Sequence, residues 1–384
     1  MKYITNAKIV TPTGVLEGVV LAYDEKISGV IRDTDIPDNT VKSDIIDAKG
    51  NYALPGLVDI HIHGYLNKDA SDGDTDGVVT MAEGVLKNGV TTFLPTTMTV
   101  SYLELEKAFD SIRAAQKITN DDTKAYANIA GIHAEGPFIN ANKKGAQAAE
   151  NIRKPDVEFV LKHKDIIKSI TIAPEVEGAL DFIKRISAET DILLSQGHTD
   201  ATYEQAIEGI KSGIKSTTHL FNAQTALNHR NPGVVGAALS TDIYSEIIAD
   251  TFHVHKGVFQ IVYNAKKDKL ILITDCTRAG GMPDGEYSLG GQPIFVTGIK
   301  CLLKDGTIAG SVLKLNEAVR NFAKNTTVPV EQVVNAASLT PATAIGIADR
   351  KGSLERGKDA DIVIADEEFN VLSVIKGGNR VYAK

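Results

Sequence analysis

The feature that most constrains this chain is a repeated alternation. Short apolar runs, from ALPGLVDIHIH at residue 53 to KLILITD ending at Asp275, alternate with stretches of helical spacing. Between those two lie TTFLPT, NIAGIHAEG, KSITIAPE, DILLSQGH, IKSTTHLFN and SEIIAD. After TTFLPT, the residues Leu105, Ala108, Phe109 and Ile112 fall at i, i+3, i+4 and i+7, one face of a helix. Thr202 and Gln205 have capping-box spacing ahead of AIEGIKSG, and Gly213 suits a helix stop. Strand–helix alternation on this scale predicts a parallel α/β architecture, most economically a (β/α)8 TIM-like barrel over residues 54–346. The rival, a doubly wound dinucleotide-binding sheet, requires a G-x-G-x-x-G after the first strand, and none is there.

The two ends of the chain have a different texture. KYITNAKIV, VLEGVVLAY and KISGVI at the start, and DIVIA and VLSVIKGGNRVYAK at the end, are short β-type runs broken by turn residues. They predict one small β-sandwich built from residues 1–53 and 347–384 together; two unrelated tails are the alternative. Charge then limits the partners. Lys and Arg number 41 against 49 Asp and Glu, a net charge of −8, which disfavours nucleic acid or an anionic membrane as a general partner. Neither a signal-peptide core nor an apolar run of spanning length is present, and two cysteines cannot make a disulfide framework. The expected location is the cytoplasm.

Chemistry is concentrated where the apolar runs end. His61 and His63 are two apart in a strand, so both imidazoles project to one side. In isolation such a pair is as well explained by two half-exposed histidines. The pattern recurs, however: Glu135 follows NIAGIHA, His198 follows DILLSQG, His219 follows KSTT, and Asp275 ends KLILIT. Ligand-type residues at successive strand ends are what a barrel active-site rim requires. Imidazole and carboxylate suit Zn²⁺, Fe²⁺ or Mn²⁺ without choosing among them. Asp275 reads as the spare carboxylate for acid–base work, with a further ligand or a helix N-cap as its alternatives. His133 is either a supporting group or a buried, hydrogen-bonded histidine. His163, in LKHKD, reads as a solvated surface residue, and Cys276 as a packing residue. The run LFNAQTALNHRNPGVVGAAL holds Asn222 and Arg230 on a turn-rich loop, and His253 lies beyond the next strand; an arginine fork and a histidine suit an anion. The polar, glycine-bearing segment 136–153 reads as a mobile loop over the site.

Taken together, these segments resemble the N-acetylglucosamine-6-phosphate deacetylases of the amidohydrolase superfamily over essentially the whole chain. PGLVDIHIHG resembles the superfamily signature; HAEGPFIN, KKGAQ, GHTDA, TTHLFNA, NHRNPGVVGAAL, LILITDC and LKDGTIAGS resemble the deacetylases more specifically. The resemblance implies a metal-dependent barrel carrying a β-sandwich from both termini. It implies Glu135, His198 and His219 as ligands of the ion common to members, and His61 and His63 as ligands of a second, so one or two divalent ions per subunit. Asp275 matches the catalytic acid/base. Asn222 and Ala223 match the segment that contacts the sugar phosphate, and Arg230 and His253 match its phosphate-binding pair. A homodimer is implied, with Arg230 able to come from the neighbouring subunit. Gln147 stands where some members carry a histidine that helps the substrate amide, which leaves its substrate-binding role open. The implied reaction is deacetylation of N-acetyl-D-glucosamine 6-phosphate, in amino-sugar catabolism or cell-wall precursor supply. The alternatives are an amidohydrolase acting on a cyclic amide, or a metal-holding barrel without turnover.

Overall fold

The computed structural model describes residues 1–384. Its centre is a barrel of eight parallel strands: β1 (Leu57–Ile62), β2 (Val90–Thr97), β3 (Ile132–Glu135), β4 (Ile167–Ile172), β5 (Leu193–Gln196), β6 (Ser216–Thr217), β7 (Tyr244–Ile248) and β8 (Leu270–Ile273). Each pairs with the next in parallel register. Closure comes from a parallel bridge between Ile62 and Cys276, and from the Asp275 amide donating to the His61 carbonyl at 2.8 Å. A helix follows every strand: α1 (Thr75–Leu86), α2 (Tyr102–Thr119), α3 (Val157–Lys162), α4 (Ala179–Glu189), α5 (Tyr203–Ser212), α6 (Gly233–Ser240), α7 (Phe259–Lys266) and α8 (Leu315–Lys324).

Local sequence explains these elements. The predicted face of α2 is buried at Leu105, Ala108, Phe109 and Ile112. The Thr202 side chain accepts from the Gln205 amide, and Gln205 reaches back to the Thr202 amide, so α5 starts where the capping box places it. α5 ends at Gly213, whose φ of 136° a side chain would resist. Strands such as LILI in β8 are buried at every position, because helices cover one face and the barrel interior the other.

The barrel interior is not uniformly apolar. His133 Nε2 meets Thr171 Oγ1 at 2.8 Å, Thr171 meets Thr218 at 2.8 Å, and Ser195 meets Thr218 at 2.7 Å, forming a buried hydrogen-bonded stack beneath the mouth. The chain ends form two further sheets. One orders Ile27–Ile31, Val20–Tyr23, Lys2–Thr5 and Ile45–Asp47; the other orders Asn379–Ala383, Val371–Lys376, Ile362–Ala365, Tyr52–Pro55, Lys8–Thr11 and Gly14–Leu16. Between them Ile4, Ile9, Leu21, Tyr23, Ile362 and Ile375 share one apolar core. Tyr52–Pro55 thus pairs in a terminal sheet, and the barrel begins at Leu57.

Two findings differ from the sequence reading. A three-stranded antiparallel sheet, Gly285–Leu289, Gln292–Thr297 and Lys300–Leu303, is inserted between β8 and α8. It packs Leu289, Ile294, Val296 and Cys301 against Met98 and Ala146 at the barrel mouth. His163 is not a solvated residue: it is 5% exposed, and its ring packs against Phe109 and Phe159 while Arg113 contacts Nδ1 at 3.2 Å. The surrounding lysines project outward, and the histidine takes the inward face of its turn. No helix is long and apolar enough to cross a membrane.

Candidate functional site

At the C-terminal mouth of the barrel, six side chains converge and all are buried: His61, His63, Glu135, His198, His219 and Asp275. They form two groups, His61–His63–Asp275 and Glu135–His198–His219, in each of which one ligand atom per residue lies within 4.8 Å of the others. Glu135 sits between them. Its Oε1 is 3.1 Å from His198 Nε2, 3.0 Å from His219 Nε2 and 3.4 Å from His61 Nε2; its Oε2 is 3.2 Å from His63 Nε2. Asp275 Oδ1 lies 3.2 Å from His63 Nε2 and 3.6 Å from His61 Nε2.

The orientation of the rings carries more information than their proximity. Each of the four histidines uses Nδ1 outward: His61 to Glu246 Oε2 at 3.0 Å, His63 to the Thr96 carbonyl at 3.1 Å, His198 to the Lys143 carbonyl at 2.8 Å and His219 to the Asn222 carbonyl at 3.1 Å. A carbonyl oxygen only accepts, so Nδ1 carries the proton, and the Nε2 lone pair of each neutral ring faces the centre. His198 and His219 bring two such nitrogens to 3.2 Å of each other, and His61 Nε2 is buried with no hydrogen-bond partner. Lone pairs crowded in this way call for a cation, and outer partners that fix the tautomer are the usual support of metal-ligating histidine. This donor set is able to hold divalent ions.

The carboxylates draw positive charge, a proton or a metal ion alike, to these same nitrogens. Burial opposes a charged imidazole, yet Asp275 and Glu135 outweigh it, pushing His61 well up and His63 to about 10. Burial likewise opposes the Asp275 carboxylate, and His61 and His63 overcome it to hold Asp275 at about 2. The mouth is therefore a place where the carboxylates stay ionised and positive charge is favoured.

Backbone strain marks the same residues. His198, His219 and Asp275 have φ of 47°, 29° and 49°, values uncommon for residues with a side chain, and Phe221 and Ala223 follow with 81° and 51°. After His63, Gly64 leaves no room for a side chain: a Cβ would lie 2.4 Å from the Lys68 carbonyl oxygen and 2.5 Å from the Arg278 amide. That close approach locks the end of β1.

Above the six residues opens a cavity of about 400 Å³, lined by Met98, Lys143, Gln147, Phe221, Asn222, Ala223, His253 and Leu289 among others. His253 is clamped by Asp250, which accepts from its Nδ1 at 2.6 Å and from its amide at 2.8 Å. Both ends of the Gln147 amide are engaged: Nε2 donates to Glu135 Oε2 at 2.5 Å, and Oε1 accepts from the Thr99 amide at 2.6 Å. Segment 136–153 lies over the site and contributes Lys143 and Gln147. His61 is buried beneath the cavity floor among the six, whereas Arg230 is the one predicted residue that lies away from the site of its own chain, exposed on the loop after His219. Sequence reading missed Glu246. Its signal was present: an acidic residue inside a strand candidate, SEIIAD, directly before Ile247-Ile248-Ala249, where a charge is seldom buried without a partner.

Residues 52–381 match the amidohydrolase family. The chain is 38% identical over 383 residues to an N-acetylglucosamine-6-phosphate deacetylase of Bacillus subtilis (strain 168), covering 98% of this chain and 96% of that one. It is 38% identical over 341 residues to the enzyme of the same name from Lysinibacillus sphaericus, covering 87% of each. Among solved structures, the N-acetylglucosamine-6-phosphate deacetylase of Pasteurella multocida superposes with a TM-score of 0.93 at 32% identity, over 100% of both chains.

Proposed function

The chain belongs to the amidohydrolase family, and from that premise we propose that it hydrolyses N-acetyl-D-glucosamine 6-phosphate to D-glucosamine 6-phosphate and acetate. The observation that carries the reading is the set of four imidazoles with Nδ1 tied outward and Nε2 turned onto Glu135 and Asp275. Whole-length similarity to deacetylases favours the phosphosugar over a cyclic amide.

Glu135, His198 and His219 would hold one divalent ion, and His61, His63 and Asp275 a second, of the Zn²⁺, Fe²⁺ or Mn²⁺ class. When bound, such ions supply Lewis acidity toward the acetyl carbonyl and lower the pKa of water. The chain's own part is proton transfer and orientation. Asp275 takes a proton from the attacking water and returns it to the departing amine nitrogen, the role its ionised state at the cavity floor supports. Asn222 and the Ala223 backbone line the sugar side. His253, held by Asp250, faces the phosphate, so that remote binding energy orients the amide. Gln147 serves by holding Glu135 and Thr99, since both ends of its amide are already used.

Arg230 completes the phosphate site from a second copy in a homodimer. Its exposed loop, which also carries Leu227 at 55% exposure, fits a surface that a partner covers. Two buried free thiols, Cys276 and Cys301, and a phosphorylated substrate fit a reducing cytoplasm. The test is acetate release from N-acetylglucosamine with and without the 6-phosphate. Equal turnover of the two sugars would overturn the assignment of phosphate recognition; no release from either would overturn the activity.

A further inference from the structure

Three of the four inward-facing imidazoles give Nδ1 to a main-chain carbonyl, and His61 alone gives it to a carboxylate, Glu246. Glu246 lies in β7 and is fully buried. Its Oε2 accepts twice, from His61 Nδ1 at 3.0 Å and from the His219 main-chain amide at 3.2 Å, while Oε1 has no partner. Burying a carboxylate inside the barrel is expensive, and two hydrogen bonds accepted by one oxygen do not by themselves offset it. The fold does not need the charge, because the neighbouring positions of β7 are filled by serine and isoleucine. What it does need for chemistry is a rigid His61 of raised basicity. A carboxylate on Nδ1 supplies both, more strongly than a carbonyl does. The same Oε2 also fixes the amide of His219, a residue held at a positive φ. One oxygen atom therefore ties a ligand of the first group to a ligand of the second.

We propose that Glu246 is a positioning residue that governs loading of the His61–His63–Asp275 cation site. This rests on the two-ion reading given above. Its effect runs through His61, and it touches neither substrate nor ion.

The experiment is a Co²⁺ titration of the full-length, chelator-stripped protein, following the visible absorption of the bound ion and its stoichiometry. It is run on wild type, Glu246→Ala and Glu246→Gln, with the melting temperature of each ion-free protein recorded alongside. Wild type takes up two ions per chain. In Glu246→Ala the affinity for one of the two falls about 10- to 100-fold while the other stays within about threefold, because removing an outer hydrogen-bond partner acts on the ligand it orients. Glu246→Gln, whose amide oxygen still accepts from His61, recovers part of that loss. A residue that only props up the barrel would instead lower the ion-free melting temperature and weaken both ions together, with no rescue by glutamine. That outcome overturns the inference. So does Glu246→Ala loading two ions with wild-type affinities. A wild type that binds one ion or none overturns the two-ion reading itself, and the inference with it.

Discussion

The barrel mouth and the terminal sandwich both bury charged groups, and they balance them in opposite ways. In the sandwich Lys351, 7% exposed, places Nζ 2.7 Å from Asp361 and 3.1 Å from Asp359. Asp359 is also reached by Lys26 at 3.0 Å and Arg350 at 2.9 Å, and Asp361 accepts the Gly377 amide at 3.0 Å. Every charge there has its counter-charge within the chain. At the mouth Glu135 and Asp275 face imidazoles, whose Nδ1 protons are spent on outer partners, and Glu135 faces the Gln147 amide as well; no lysine or arginine pairs with either carboxylate. Lys143 lines the same cavity, but its ammonium pairs with Asp200 at 3.5 Å. A buried cluster that closes on itself holds a fold together. A cluster left with lone pairs in excess is prepared for something brought in.

The sharpest way to break this contrast is to remove the ions. Chelation is expected to abolish acetate release and to lower stability by about 4 kcal/mol where free ion had stood near a thousand times its Kd; thermal melts with and without chelator check it. An unchanged melting curve would mean that the mouth is as self-satisfied as the sandwich. Next in size, Asp275→Asn is expected to reduce kcat by about 10²- to 10⁴-fold, with the fold retained on the melting curve. Retained turnover removes Asp275 from the proton-transfer role. On the other side of the comparison, Lys351→Met leaves Asp361 buried without a counter-charge and is expected to cost about 3–5 kcal/mol in denaturant unfolding. Its turnover per folded molecule should stay at the wild-type level, since Lys351 lies in the sandwich and not in the cavity.

How much of this could be read from sequence follows the range over which each interaction acts. The α2 face, the α5 capping box and the stop at Gly213 are set by neighbours a few residues apart, and they were legible. Strand ends bearing His61, His63, Glu135, His198, His219 and Asp275 were legible because a strand run terminates in a residue unlike it. Partners that meet only in the folded chain were not. Glu246 and His61 are 185 positions apart, and the engagement of both ends of Gln147 depends on where Thr99 and Glu135 come to lie. His163 was misjudged because its lysine neighbours dominate the local composition while Phe109, on another helix, supplies part of its packing. The inserted sheet had a local signal after all: Gly290-Gly291 between two β-type runs is hairpin chemistry.

The smallest expected effect concerns acid. Burial raises the Asp359 pKa, but Lys351, Lys26 and Arg350 outweigh it and hold the carboxyl below its ordinary 3.8. A carboxyl whose folded value is depressed contributes stability in full above its unfolded value, and loses it as pH falls through the folded one. The window therefore lies below about pH 4. Lys26 and Arg350 are 57% and 61% exposed, so water and salt screen their pairing with Asp359; most of the effect rests on the buried Lys351. Asp359→Asn should accordingly show a shallower fall of melting temperature from pH 4 downward than wild type, and a similar slope above it. Loss of ions from the mouth at low pH affects both proteins alike and drops out of the difference, because the two sites share no partner. Identical slopes would place the acid sensitivity elsewhere than in the sandwich pair. They would also leave Lys351 leaning on Asp361, the closer of its two carboxylates.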